Sequence, residues 1–541
     1  MNMRADHFSR DAAGLPEARA PQWLELAHRD QFDLRIAPVA KRIGDATVRM
    51  LAYNGSIPGP TLRVPQGSEL VVNVVNDGDL EATVHWHGLR LENRYDGTAE
   101  TQRPMPIGGA FTYRIKFPDP GVYWYHPHIR EDYAQELGLY GNIVVVPAEA
   151  DYWPPVDREL AFALDDILLE DGKVAPFSRS ETTHTAMGRF GNVLLVNGQS
   201  QLSFTARLGE VVRFYLTDTA NTRVFNVGVR GARMKLVGGD SGHYEREELV
   251  ERVVIAPSER AVVDVLFDQP GQATLEHRTP QRIYPLIGIT VAGEPATSSA
   301  ADHFETLRIN PDMLAERERV AVYVDAEPHK TLAFVAEMNM GTPELASGAS
   351  LKYFCPMHAE VIRDAPGKCP SCAMKLLPRE ARSANASGQG QSASHSHSGG
   401  KVHGRFPAGI EWEDDMVEVN RMTTPANTRW KLIDQAAGAE GRAIDWRFRV
   451  GELVKIRLVN TMDSDHPMHH PFHIHGAGRF LILSRDGAVE PNLVWKDTVL
   501  IPTGQTVDIL LEVTNPGRWM AHCHIAEHHE SGMMFSFNVD P

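Results

Sequence analysis

One pattern recurs three times along this chain, and it constrains the fold more than any other feature. Gly67-Ser-Glu-Leu-Val-Val-Asn-Val-Val-Asn76 is matched by Gly209-Glu-Val-Val-Arg-Phe-Tyr-Leu-Thr-Asp218 and by Gly451-Glu-Leu-Val-Lys-Ile-Arg-Leu-Val-Asn460. Each is a turn glycine followed by a run of β-favouring residues, so each predicts a strand. A second signature follows each copy. Pro120-Gly121, Pro270-Gly271 and Pro516-Gly517 lead, five residues after the glycine, to His126, Glu276 and His522. Three related β units follow from this repetition. Short strands, frequent Gly and Pro, and few helical patterns predict an all-β chain of three β-sandwiches.

The first two strand signatures lie 142 residues apart and the last two 242 apart. The surplus places extra material early in the third unit, at residues 350–405. The chain therefore divides into 1–150 with an N-terminal tail, 151–297 and 298–541. A length of 541 residues suits this division, at about 150 residues per domain. Within the third unit, 350–380 holds three of the four cysteines, Cys355, Cys369 and Cys372. Residues 381–405, rich in Ser, Gly, Ala and His, read as a flexible linker.

Four cysteines do not make a disulfide framework. A net charge of −16 argues against nucleic acid or an anionic membrane as the main partner. No apolar run reaches the ~18 residues of a membrane span. The first residues lack the apolar core of a secretory signal. That leaves two readings, a cytoplasmic chain or one whose signal has been removed.

The 24 histidines cluster. Four His-x-His pairs stand in the outer units: His85/His87, His126/His128, His473/His475 and His522/His524. Residues i and i+2 of a strand share a face, so each pair can present two imidazoles to one place. Eight imidazoles suffice for about three copper ions at two to three ligands each. The middle unit lacks such pairs, so the expected site lies between the outer two. Cys523 sits between His522 and His524 and must face the other way. A thiolate with the imidazoles of His470 and His528 and the thioether of Met533 is a blue-copper set. His466 and His469 are out of phase with the following His-x-His pair and are read as non-ligands. In the first unit, Ala82 and Pro127 stand at the positions of His470 and Cys523, so no blue site is expected there.

The motifs His85-Trp-His-Gly88, His126-Pro-His128, His470-Pro-Phe-His-Ile-His475 and His522-Cys-His-x3-His528-x3-Gly-Met533 resemble those of three-domain multicopper oxidases. The likeness spans about residues 45–541 outside the insertion. It implies three cupredoxin-like Greek-key domains and four copper ions. His470, Cys523, His528 and Met533 would hold type 1 copper. His85 and His473 would hold type 2 copper. His87, His126, His128, His475, His522 and His524 would hold the type 3 pair. The implied reaction takes single electrons from a substrate at type 1 copper and reduces dioxygen to water at the cluster. Glu527 and Asp96 resemble the family's acidic proton donors.

For the substrate, Met468 with Asp463 and Asp465 resembles the Met/Asp surroundings that cuprous oxidases use. A thioether beside carboxylates suits soft Cu(I) arriving and hard Cu(II) leaving. Asp497 is a weaker candidate near the substrate, and Met338 and Met340 are read as packing residues. In the insertion, Cys355-Pro-Met-His358 and Cys369-Pro-Ser-Cys372 form C-x2-H…C-x2-C, the spacing of a small metal site. It resembles the heavy-metal-binding domain of copper and silver export systems, with Ala359 replacing the usual proline and Ala373 the usual glycine. A structural zinc knuckle and a copper-recruiting site both fit, and His395, His397 and His403 could assist. The sequence thus leads to a Cu(I) oxidase of copper tolerance, periplasmic or otherwise outside the cytoplasm. The alternatives are a laccase-like phenol oxidase and a non-catalytic copper-binding or copper-storage protein.

Overall fold

The structure, a computed structural model, describes residues 6–297, 299–345, 349–381 and 406–541. The predicted linker, with His395, His397 and His403, lies outside the described residues, Ala381 excepted. Strands dominate, and the three repeats build three β-sandwiches of the cupredoxin kind.

The repeat is visible in the strand pairing. Glu69–Asn76, Glu210–Asp218 and Leu453–Asn460 are the three signature strands. Each follows its glycine, and Gly67, Gly209 and Gly451 have φ of +78°, +79° and +93°, backbone that side chains other than hydrogen avoid. Each signature strand pairs in parallel with an earlier strand: Gln31–Ile43, Arg158–Ile167 and Lys330–Met338. Each also pairs antiparallel with a later one: Ala110–Lys116, Arg260–Phe267 and Thr506–Val513. The resulting sheets have four, six and seven strands. A five-stranded sheet faces each of them. In those second sheets lie the Pro-Gly strands Gly121–His126, Gly271–Arg278 and Gly517–Cys523.

Alternating apolar residues close each sandwich. Leu70, Val72 and Val74 point into the first core; Val454, Ile456 and Leu458 do the same in the third. A fully buried side chain of this kind contributes about 1.5–3 kcal/mol. The helix Pro311–Val324 precedes the third sandwich and buries Met313 and Val320 against Leu481, Leu483 and Trp495. The segment before it stays tied to the middle unit, with Arg308 paired to Glu247 and the Asn310 amide donating to the Glu245 carbonyl.

The insertion forms its own three-stranded sheet from Ser350–Phe354, Ile362–Arg363 and Leu377–Ala381. It is fastened to the third sandwich, with Met374 and Leu377 joining that core. Among the described residues no helix is long and apolar enough to cross a membrane.

Candidate metal centres

The eight paired histidines converge. In the first unit, His85 lies directly across from His126 on the neighbouring strand. In the third, His473 pairs across from His522, and Phe472 from Cys523. Alternation then turns His473 and His522 to one face and Cys523 to the other. The imidazoles of both units meet at the seam, where the His87 and His473 ring centroids are 3.8 Å apart and those of His85 and His475 4.1 Å. All eight are buried.

Their hydrogen bonds show which nitrogens are available. His85 Nδ1 donates to the Asp96 carbonyl, His126 Nδ1 to Pro127, His473 Nδ1 to Asp497 and His522 Nδ1 to Cys523, all at 2.7–2.9 Å. His475 Nδ1 donates to the Asp96 carboxylate at 2.9 Å. Each of these rings, with its proton on Nδ1, can offer a lone pair on Nε2. His87 is reversed: its Nε2 donates to Asp497 Oδ1 at 2.9 Å and its Nδ1 has no partner. The Nε2 atoms of His85, His126 and His473, and both nitrogens of His524, are likewise buried without partners.

Burial first, and repulsion from neighbouring imidazoles second, hold His126, His475 and His524 well below the ordinary histidine range. They are thus neutral, the state that binds metal. His475 Nε2 lies 3.0 Å from His522 Nε2 and 3.3 Å from His128 Nε2. Lone pairs aimed at one another repel unless a cation lies among them, so this set fits a metal. His128, His475 and His522 form one such group, and His85, His87 and His126 another.

On the far face of the same strand, Cys523 Sγ is 3.5 Å from His470 Nδ1 and 3.8 Å from His528 Nδ1, with 3.4 Å between the two nitrogens. Ligand atoms about 2.0–2.3 Å from a trigonal ion stand about 3.5–3.8 Å apart, so these spacings fit a three-ligand copper. Met533 is buried in the same core. Phe334 stacks on His470 and Trp430 packs on His528, which shuts out water.

The acids behave differently from one another. Asp96 spends its backbone carbonyl on His85 and its carboxylate on His475, and so ties imidazoles of both outer units. Glu527 is buried with Oε1 unpartnered and Oε2 3.5 Å from the Thr222 hydroxyl. Burial, with Asp132 adding to it, pushes its carboxyl up to about 8.

The four substrate candidates lie in different settings. Met468 is fully buried in the third core, two residues before His470. Asp463 and Asp465 face the insertion and pair with its Lys368 and Lys375 at 2.9 and 2.8 Å. Asp497 is buried beneath the cluster, bonded to His87 and Arg260. His466 and His469 face elsewhere, with His466 Nε2 3.2 Å from Met187 Sδ and His469 Nδ1 donating to Glu411.

Two residues escaped the sequence reading. His529 packs 4.5 Å from His522 and 5.2 Å from His128, ring to ring. Glu131 lies 3.1 Å from His128 Nδ1 and 3.5 Å from His529 Nδ1. The His-His doublet at 528–529 was the available clue.

The insertion gathers Cys355, His358, Cys369 and Cys372. Cys355 Sγ is 3.6 Å from Cys372 Sγ and 3.7 Å from His358 Nδ1, and Cys369 Sγ is 3.7 Å from His358 Nδ1. Tetrahedral S and N ligands of zinc lie about 3.4–3.8 Å apart, so the group has the dimensions of a closed metal site.

A Cys–His pocket one residue from an eight-imidazole cluster, on three cupredoxin-like sandwiches, is what a copper oxidase with several copper centres requires. Comparison with known proteins agrees. Family models described as multicopper oxidase match residues 38–150 and 413–541, and a heavy metal binding domain model matches 352–379. The chain is 26% identical to the multicopper oxidase MmcO of Mycobacterium tuberculosis, covering 92% of this chain and 84% of that one. It is 24% identical to Laccase-3 of Oryza sativa subsp. japonica, covering 95% and 92%. Among solved structures it resembles a multicopper oxidase of Campylobacter jejuni described as a metallo-oxidase, with TM-score 0.61, 19% identity and 99% of both chains covered. It also resembles a laccase-like multicopper oxidase of Ochrobactrum sp., with TM-score 0.64, 20% identity and 97% and 100% covered. The first and third units thus match multicopper oxidase family models, and these likenesses make the chain an oxidoreductase of multicopper oxidase type.

Proposed function

We propose that this protein oxidises Cu(I) to Cu(II) in copper tolerance, coupling four such oxidations to the reduction of one dioxygen and four protons to two waters. His470, Cys523, His528 and Met533 hold type 1 copper in this reading. His85 and His473 hold type 2 copper, and His87, His126, His128, His475, His522 and His524 hold the type 3 pair, four coppers in all. Bound copper would supply the one-electron redox chemistry. Cys523 joins the two centres covalently through His522 and His524. Asp96 fixes His85 and His475 in place, and Glu527, a protonated acid behind the cluster, supplies protons. The three domains are 1–150, 151–297 and 298–541. Dioxygen-dependent oxidation of Cu(I) suits a periplasmic or other extracytoplasmic location.

The observation that carries the substrate assignment is the inserted thiolate site. Three cysteines and a histidine suit Cu(I), and the module is docked on the loop that leads to His470. A cleft of about 790 Å³, lined by Met338, Asp463, Asp465, Lys368 and Lys375, lies along this junction. Changing Cys369 and Cys372 together to Ser tests the point. The expected result is a rise of about tenfold or more in KM for a chelated Cu(I) donor, with phenol KM unchanged. Equal KM values for both proteins would make the module a structural knuckle. The laccase-like reading is favoured by the burial of Met468 and by the likeness to a plant laccase, and it predicts that second result. A non-catalytic copper store is opposed by the complete ligand set.

A further inference from the structure

The middle sandwich carries no histidine pair, yet one of its side chains reaches the cluster. Arg260 opens the strand Arg260–Phe267 and is buried with no exposed side-chain surface. Its guanidinium is spent on all three sandwiches. Nε donates to the Val122 carbonyl at 2.9 Å, in the first-unit strand that ends at His126. Nη1 donates to the Ser258 carbonyl of its own unit and to Asp497 Oδ1, both at 2.8 Å. Nη2 donates to Asp497 Oδ2 at 2.5 Å. Asp497 in turn accepts from His87 Nε2, and its backbone carbonyl accepts from His473 Nδ1. One guanidinium thus holds one aspartate whose carboxylate and backbone carbonyl accept from an imidazole of each outer unit.

The space around this pair is closed. Gly88, directly after the first His-x-His pair, has φ +83°, and a Cβ there would overlap the Asp497 carboxylate and come within 2.8 Å of Arg260 Nη2. The glycine of His85-Trp-His-Gly88 is therefore required by the ion pair as much as by its backbone angle. A bidentate Arg–carboxylate pair fixes both partners in one plane, which a point-charged lysine does not reproduce.

We propose that Arg260 is a positioning residue for the oxygen-reducing cluster. It holds Asp497 so that His87 presents Nδ1, and His473 presents Nε2, to the metals between the outer units. The middle sandwich then contributes, through Asp497, to copper binding at the cluster. This rests on the ligand assignment proposed above.

The test uses the full chain, loaded with copper, and compares unsubstituted protein with Arg260→Met, Arg260→Lys and Gly88→Ala. Metal analysis counts copper per chain, and the blue absorption of the Cys523 site reports the third-unit fold independently. The expected result is a blue absorption near that of the unsubstituted protein in all variants. Arg260→Met and Gly88→Ala should lose more than half of the cluster copper, and Arg260→Lys should lose less. Full copper content in Arg260→Met would overturn the proposal. So would a parallel loss of blue absorption and cluster copper in both Arg260→Met and Gly88→Ala, which would show a general support of the fold. If the unsubstituted protein binds no copper beyond the blue site, it is the ligand assignment that fails.

Discussion

Cys523 and its neighbours show how much one strand can do through alternation alone. His522 and His524 face the imidazole cluster while Cys523 faces a separate pocket, so two metal environments share a backbone. This was legible in the sequence, because a period of two and a spacing of one residue need no tertiary knowledge. The roles of the acids were less legible. Asp497 reads as a weaker substrate-side candidate in Trp-Lys-Asp-Thr, and its buried bonds to His87 and the middle unit's Arg260 come from segments far away in the sequence. Met468 looked like a soft ligand beside carboxylates, but a methionine two residues from a ligand fits packing equally well, and packing holds it here. Glu527 carries the clearest prediction at this scale. Burial first, and Asp132 second, keep its proton on, with the Arg189 charge only partly opposing them. Glu527→Gln keeps the shape and removes the acid. Turnover should fall about 10²-fold or more, while copper content and blue absorption stay constant. Unchanged turnover would remove Glu527 from the proton supply.

Among the elements, the insertion depends on packing more than on charge. Its two ion pairs to the third sandwich, Lys368–Asp463 and Lys375–Asp465, are both partly or wholly exposed, and such pairs contribute little. Met374 and Leu377, by contrast, are 1% and 5% exposed within the third core. Truncating a buried Met to Ala costs about 2–5 kcal/mol. Met374→Ala should therefore free the module and expose it to limited proteolysis, whereas Lys368→Ala should leave the digestion pattern unchanged. The opposite ranking would mean that charge docks the module. Sequence spacing disclosed the four metal-ligand candidates of this element, because local spacing defines a small metal site. It did not disclose where the element docks, since Lys375 and Asp465 lie 90 residues apart.

For the whole molecule, the threefold repeat determined the architecture in advance, from the turn glycines at 67, 209 and 451 to the matching sheets they open. The seams between sandwiches were not readable in the same way. They are made by single side chains from distant segments: Asp96 on His475, Arg260 on Asp497, Asn93 on the Arg518 carbonyl. No periodicity marks such residues, because each is chosen by its partner across the seam. The seams are where the cluster forms, so the fold's repetition supplies the ligands and its irregular contacts set their angles.

The most direct measurement is oxygen uptake by the copper-loaded protein, with a chelated Cu(I) donor and a simple phenol compared side by side. A cuprous oxidase predicts fast oxygen consumption with Cu(I), near one dioxygen per four Cu(I) oxidised, and slow consumption with the phenol. Fast phenol turnover with negligible Cu(I) oxidation would contradict it and leave a laccase-like enzyme that carries a separate metal module.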